Sequence, residues 1–234
     1  MIAETVSAAL ASAAAVWAAG AYAPNSRIFG PVIGRGPRRG RSLYLTFDDG
    51  PSPSATPRVL DTLERHQVPA TFFMVGRQVR LFPDLAREVR AAGHEIGNHT
   101  EHHRKLHLLG PGAVREELAQ AHEASVQYAG CVPRLFRAPH GYRNPFVTAA
   151  TARLGYRVIG WTFGVWDSSR PGADVIRRRV VRRLAPGAII LLHDGDGADP
   201  AGDRSQTAEA LEGIITEARS RGYRFRPLAD LMPA

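Results

Sequence analysis

Apolar positions along the chain switch repeatedly between a two-residue and a helical period, which predicts alternating strands and helices. Leu43, Leu45 and Phe47 alternate with Ser42, Tyr44 and Thr46. That strand stops at Asp48-Asp49-Gly50-Pro51, where Gly and Pro break the ladder. Thr56-Pro57 opens a helix with proline in its first turn, and Val59, Leu60 and Leu63 supply its apolar stripe. Further strands are expected at 70–75, 94–98, 135–137, 156–161, 188–192 and 223–227, and further helices at 83–92, 111–129, 144–154, 173–184 and 205–221. The alternation repeats about seven times, as parallel strands with helical crossovers require. It predicts an α/β fold, a distorted or incomplete (β/α)7 TIM-like barrel in a single domain, with chemistry at the C-terminal strand ends.

The N-terminal stretch has a different pattern. Residues 6–23 carry no charge and are mostly Ala, with Val6, Leu10, Val16, Trp17 and Tyr22. A helix of that length is about 27 Å long, barely the thickness of the hydrocarbon core. Alanine adds little insertion energy. A secretory signal wants a basic start, yet Glu4 is the only early charge, and Arg27, Arg35, Arg38, Arg39 and Arg41 follow the apolar run. Three readings are compatible: a weak membrane anchor, an uncleaved export signal, or a helix packed on the domain. The anchor is favoured, so the expected location is membrane-associated, on a side left open, with the exported cell envelope as the alternative. Residues 1–41 are thus read as a hydrophobic segment plus a basic Gly/Pro linker (30–41), and residues 42–234 as the functional domain.

Composition narrows the classes. The 234 residues carry a formal net charge of +8, and Lys105 is the only lysine. The arginines are scattered and not interleaved with aromatics, which argues against nucleic acid as a partner. The arginines of 173–184 lie largely off its apolar face and read as a solvated surface. A lone Cys131 excludes an internal disulfide.

Four strand ends carry candidate chemistry besides Asp48-Asp49, which would set one carboxylate on a cation and one on a proton. His99-Thr100-Glu101-His102-His103 closes a strand. If the chain turns helical there, His99 and His103 share a face. Two imidazoles and a carboxylate from Asp48 or Asp49 make a catalytic site for a divalent transition metal. His193 directly follows a buried strand, where a general acid is at home. Arg137, in RAPHG, reads either as a residue that pins a carboxylate by a bidentate pair or as an ordinary surface arginine, and Asp167 as one that could hold a histidine charged.

In this order the segments resemble the polysaccharide deacetylases of the NodB-homology type, carbohydrate esterase family 4. They are TFDDGP at 46–51, HTEHH at 99–103, RAPHG at 137–141, the stretch 161–167 and LLH at 191–193, and the resemblance spans roughly residues 40 to 230. It implies Asp49, His99 and His103 as ligands of one divalent transition ion, zinc first, with cobalt or nickel also serviceable. It implies Asp48 as the base acting on a metal-activated water, the backbone N–H of His140 as oxyanion donor, and His193 as the acid that protonates the leaving amine. Arg137 would orient Asp48, Asp167 would raise the pKa of His193, and Trp161 and Leu191 would line the substrate pocket.

Two segments depart from the family pattern. His140 stands where the family often has tyrosine. Asp167 is followed by Ser168 instead of tryptophan, with Trp166 before it and Gly164 at an often acidic position. The implied activity is removal of N-acetyl groups from GlcNAc-containing glycans (peptidoglycan, chitooligosaccharide or a related polymer). The alternative within that chemistry is a deacetylase or deformylase of a lipid-linked or small amino sugar, which a membrane surface contact suits. The alternative from another class is a non-catalytic glycan-binding relative.

Overall fold

The computed structural model describes residues 2–232. In chain order the elements are α1 (Ile2–Tyr22), β1 (Ser42–Asp48), α2 (Thr56–Arg65), β2 (Ala70–Met74), α3 (Gly76–Leu81), α4 (Pro83–Ala91), β3 (Glu95–Asn98), α5 (Pro111–Ala124), β4 (Leu135–Phe136), α6 (Pro145–Arg153), β5 (Arg157–Val158), β6 (Phe163–Gly164), α7 (Ala173–Val181), β7 (Ala188–His193), α8 (Ser205–Ser220) and β8 (Arg224–Phe225). The strands form one parallel sheet in the order β5-β4-β3-β2-β1-β7-β6, with β8 on the edge of β1 below β2. This is the expected distorted α/β barrel.

β1 is the centre of the sheet, and its alternation divides the core in two. Leu43, Leu45 and Phe47 pack outward with Phe72, Leu192, Leu63 and Ile214 under the helices. Tyr44 packs with Phe73, Leu135, Ile159, Ile189 and Leu228 in a second cluster. Thr46 and Asp48 share the face of Tyr44 by the two-residue period. Both faces are buried, as parallel strands require. The register sets Asp48 beside His193 across β1 and β7, so two candidate residues meet at one end of the sheet.

Three expectations change. The strand expected at 156–161 is only the short β5, and β6 follows beyond that range, because the chain leaves the edge of β4 and crosses to the edge of β7. Helix α3 has no counterpart in the expected elements. Within the stretch expected to be a surface linker, residues 32–36 are built into the gap between β5 and β6. Val32 is buried, and Ile33 forms a parallel bridge with Ile159. The Gly36 N–H donates to Gly187 O at 2.8 Å, and Thr162 Oγ1 donates to Gly34 O at 2.9 Å. The segment belongs there because two half-strands leave main-chain groups that need partners.

The seam yields a stability test. Gly187 has φ +75°, and a Cβ there would lie 2.4 Å from Gly36 O and 2.6 Å from Pro37 O. Gly93 has a similar φ of +80° with open space around it. Gly187→Ala is expected to cost about 2–4 kcal/mol, the strain of a left-handed residue plus the clash, whereas Gly93→Ala costs about 1 kcal/mol. Urea midpoints at unchanged m would measure both.

Candidate active site

Asp48 and Asp49 leave β1 in different directions. Asp48 continues the inward face, and Arg137 meets it from the end of β4. Arg137 Nη1 donates to Asp48 Oδ1 at 2.6 Å and to Thr46 Oγ1 at 2.8 Å, and Nη2 donates to Gly160 O at 3.0 Å. The expected bidentate pair is therefore a single-armed one, because the second arm holds the main chain between β5 and β6. The Arg137 guanidinium lies 4.1 Å from the Phe73 ring centroid and is fully buried.

Asp49 turns the other way, into the left-handed region at φ 77°. Its Oδ1 lies 3.0 Å from His103 Nε2 and 3.3 Å from His99 Nε2. The expected helical turn linking the two histidines is absent: residues 99–105 are a loop, with Thr100 and His103 both left-handed. Side chains hold that loop. Asn98 Oδ1 accepts the Thr100 N–H at 2.8 Å, and Thr100 Oγ1 accepts the His103 N–H at 3.1 Å. The rings end 5.1 Å apart.

The donor set fits a cation. One ligand atom from each of Asp49, His99 and His103 lies within 4.8 Å of the others. Asp49 Oδ1 is buried and accepts no hydrogen bond of acceptable geometry. His99 Nδ1 donates to Arg137 O at 2.8 Å, which commits its proton there and leaves the Nε2 lone pair facing Asp49. Burial alone would raise the Asp49 pKa, but His103, with His99 and His193, holds the carboxyl well below the usual carboxylate range. One carboxylate and two imidazoles with room for further ligands suit a divalent transition ion.

His193 stands beside them, at the end of β7. Asp167, itself buried, pairs through Oδ1 with His193 Nδ1 at 2.9 Å, and its Oδ2 accepts from the His193 backbone N–H at 2.8 Å and from Thr207 Oγ1 at 3.1 Å. Burial opposes charge on His193, but Asp167, then Asp49 and Asp48, outweigh it and push its pKa up to about 10.

The cavity between these groups has a volume of about 600 Å³ and is lined by Asp48, Asp49, His99, His103, His140, Trp161, Leu191 and His193. Arg137 and Asp167 stand behind it. His140 is left-handed at φ 58°, and its ring packs 4.8 Å from that of His103. Burial, and then His103, lower its pKa to about 4, so the ring is neutral. Trp166 is also left-handed and stands 76% exposed on the cavity rim.

Several supporting residues went unread in the sequence. Thr46 sits two residues before Asp48, so the strand period alone would have placed it with Arg137. Asp194 is buried beneath the site, where its Oδ2 accepts from Thr56 Oγ1 at 2.6 Å and its carboxyl fills the space a Gly50 side chain would need. The arginines of 173–184 are not all solvated: Arg179 donates to Val165 O at 3.0 Å, and Arg183 donates to Gly164 O at 2.8 Å. They brace the loop that carries Asp167.

Known proteins resemble the chain in sequence and in fold. The family model described as polysaccharide deacetylase matches residues 35–159. A chitooligosaccharide deacetylase of Bradyrhizobium sp. (strain ANU 289) is 41% identical over 214 residues, 88% of this chain and 94% of that protein. A solved peptidoglycan N-acetylglucosamine deacetylase superposes with a TM-score of 0.80 at 30% identity, over 86% of this chain and 92% of that one. A carbohydrate esterase family 4 pseudoenzyme from Bacillus anthracis superposes with a TM-score of 0.78 at 30% identity, over 86% and 68% of the two chains.

Metal-stripped protein is expected to take up one zinc ion per chain in calorimetric titration. His99→Ala should weaken that affinity by more than 100-fold, beyond the roughly 10- to 100-fold typical of outer partners of a ligand. Unchanged zinc affinity in this variant would place the ion elsewhere.

Proposed function

The chain belongs to the polysaccharide deacetylase family, carbohydrate esterase family 4, and from that premise we propose that it hydrolyses N-acetyl groups of GlcNAc-containing glycans. The products are acetate and a free amine, and chitooligosaccharide and peptidoglycan are the substrates that the relatives suggest. One observation carries the reading: Asp48 under Arg137 and His193 under Asp167 line one cavity, beside the Asp49, His99 and His103 cluster.

Asp49, His99 and His103 would hold the ion, zinc first, with cobalt or nickel also able to serve. When bound, it supplies Lewis acidity, which lowers the pKa of water and polarises a carbonyl. The chain's own residues do the rest. Asp48, its Oδ1 held by Arg137, accepts a proton from the attacking water at its other oxygen. The His140 amide receives the oxyanion as the carbonyl becomes tetrahedral. His193, kept charged by Asp167, gives its proton to the departing nitrogen as the C–N bond breaks. Trp161 and Leu191 wall the acyl group.

The N-terminal helix favours a membrane-associated location. Its segment Thr5–Tyr22 has a mean hydropathy of 1.3 and is 11% buried. The same helix favours, as a second reading of the substrate, an amino sugar carried on a lipid. A non-catalytic glycan binder is the outcome if metal-loaded protein binds chitooligosaccharides but releases no acyl group from an acetylated and formylated panel.

Purified, zinc- or cobalt-loaded protein is expected to release acetate from chitooligosaccharides. Asp48→Asn should lower kcat by about 10²- to 10⁴-fold, the usual contribution of a positioned base, while zinc content stays at wild type. An active Asp48→Asn would mean that the base is another group.

The pH profile tests His193. Its charged form is the acid, so activity falls as pH rises through its raised pKa. A cation at Asp49 offsets the help from Asp49 and Asp48, leaving Asp167 as the principal support. Asp167→Asn is therefore expected to move the alkaline limb of kcat to lower pH by more than one unit. An unmoved limb would assign it to a different group.

A further inference from the structure

The arginines that follow α1 have no place in the reaction, yet they converge. Arg27, Arg35 and Arg38 line a cavity of about 830 Å³ with a partly apolar wall of Val32, Ile33 and Leu231. Its one carboxylate, Asp230, is already paired with Arg226 at 2.6 Å. Among the described residues, none of the three arginines has a carboxylate partner, and only Arg35 makes a side-chain hydrogen bond, to Pro186 O at 3.2 Å. Three like charges around one cavity repel one another unless an anion joins them.

The cavity begins where the exposed apolar helix ends. Its lining starts at Asn25, three residues past Tyr22, and Asn25 Nδ2 donates to Trp161 O at 2.8 Å. The helix end is fixed to the body. Ala21 is buried and its carbonyl accepts the Arg143 N–H at 3.1 Å, while the Tyr22 ring packs 5.2 Å from that of Tyr142, a residue of the catalytic cavity. Elsewhere the helix side chains from Thr5 to Ala19 are exposed. An alanine-rich helix partitions weakly, and stable attachment to a bilayer generally takes a second signal.

We propose that the foot of α1 is a docking face for an anionic phospholipid bilayer, in which Arg27, Arg35 and Arg38 receive phosphodiester headgroups where the helix enters the membrane. This rests on the membrane association proposed above. Helix continuity selects the bilayer over a soluble anion, because the arginine cavity and the exposed apolar helix adjoin. Docking there holds the catalytic rim at Tyr142 next to the membrane surface.

Flotation of the full chain with vesicles of phosphatidylcholine alone, or with 30% phosphatidylglycerol, tests this. Each arginine near an anionic surface is worth about fivefold, so wild type is expected to prefer the anionic vesicles by roughly 100-fold at low salt. The triple variant Arg27→Gln, Arg35→Gln, Arg38→Gln should lose about 100-fold of that preference and bind the two vesicles nearly equally. It should keep its binding to neutral vesicles, its circular dichroism and its acetate release from soluble chitooligosaccharide. Equal binding of wild type to both vesicles, or full preference retained by the variant, overturns the proposal. Preference abolished by millimolar inorganic phosphate at constant ionic strength also overturns it, in favour of a soluble-anion site. Binding to neither vesicle, with soluble turnover intact, overturns the membrane reading and leaves the deacetylase reading standing.

Discussion

The buried pair between Arg137 and Asp48 is the constraint on which the site depends. A guanidinium with no exposed surface is costly to bury, and both of its Nη groups are paired, leaving only Nε without a partner. One arm takes Asp48 and Thr46 on β1, and the other takes the Gly160 carbonyl between β5 and β6. The Arg137 carbonyl meanwhile fixes the tautomer of His99. A single residue therefore orients the base candidate, a ligand candidate and the crossing of the chain. Losing one partner would strand a buried charge, a penalty of about 3–5 kcal/mol.

Around that pair, backbone strain is concentrated at the strand ends. Asp49, Thr100, His103, His140 and Trp166 are all left-handed without being glycine. Such conformations cost about 1–3 kcal/mol each and persist where surroundings over-determine them. Here the surroundings are identifiable. Asn98 and Thr100 hold the histidine loop, Asp194 and Thr56 sit beneath Gly50, and Arg179 and Arg183 brace the approach to Asp167. Each aims a side chain that an ordinary turn would point elsewhere.

The barrel was legible in the sequence because its central strands are buried on both faces and stand out as apolar runs between helical stripes. The site was legible because its residues are chemically distinctive and lie at strand ends. The spacing of His99 and His103 identified the pair, but not its geometry, since left-handed threonine and histidine carry no local signal. Residues 32–36 went unread for a related reason. A Gly- and Pro-rich stretch held by main-chain bonds to distant partners has no periodicity to detect. The division at β5 and β6, and the bracing by Arg179 and Arg183, arise from the same tertiary demands.

The seam between β5 and β6 also orders events in time. Ile33 is synthesised early, yet Ile159, Thr162 and Gly187, which receive its segment, follow far later in the chain. Residues 32–36 have no partner while the first four strands emerge. Closing so long a loop is entropically costly and comes after local pairing. The stave that completes the wall thus precedes in the chain every strand it joins. Without it, both half-strands would present open edges, and an open edge is a template for pairing with another chain.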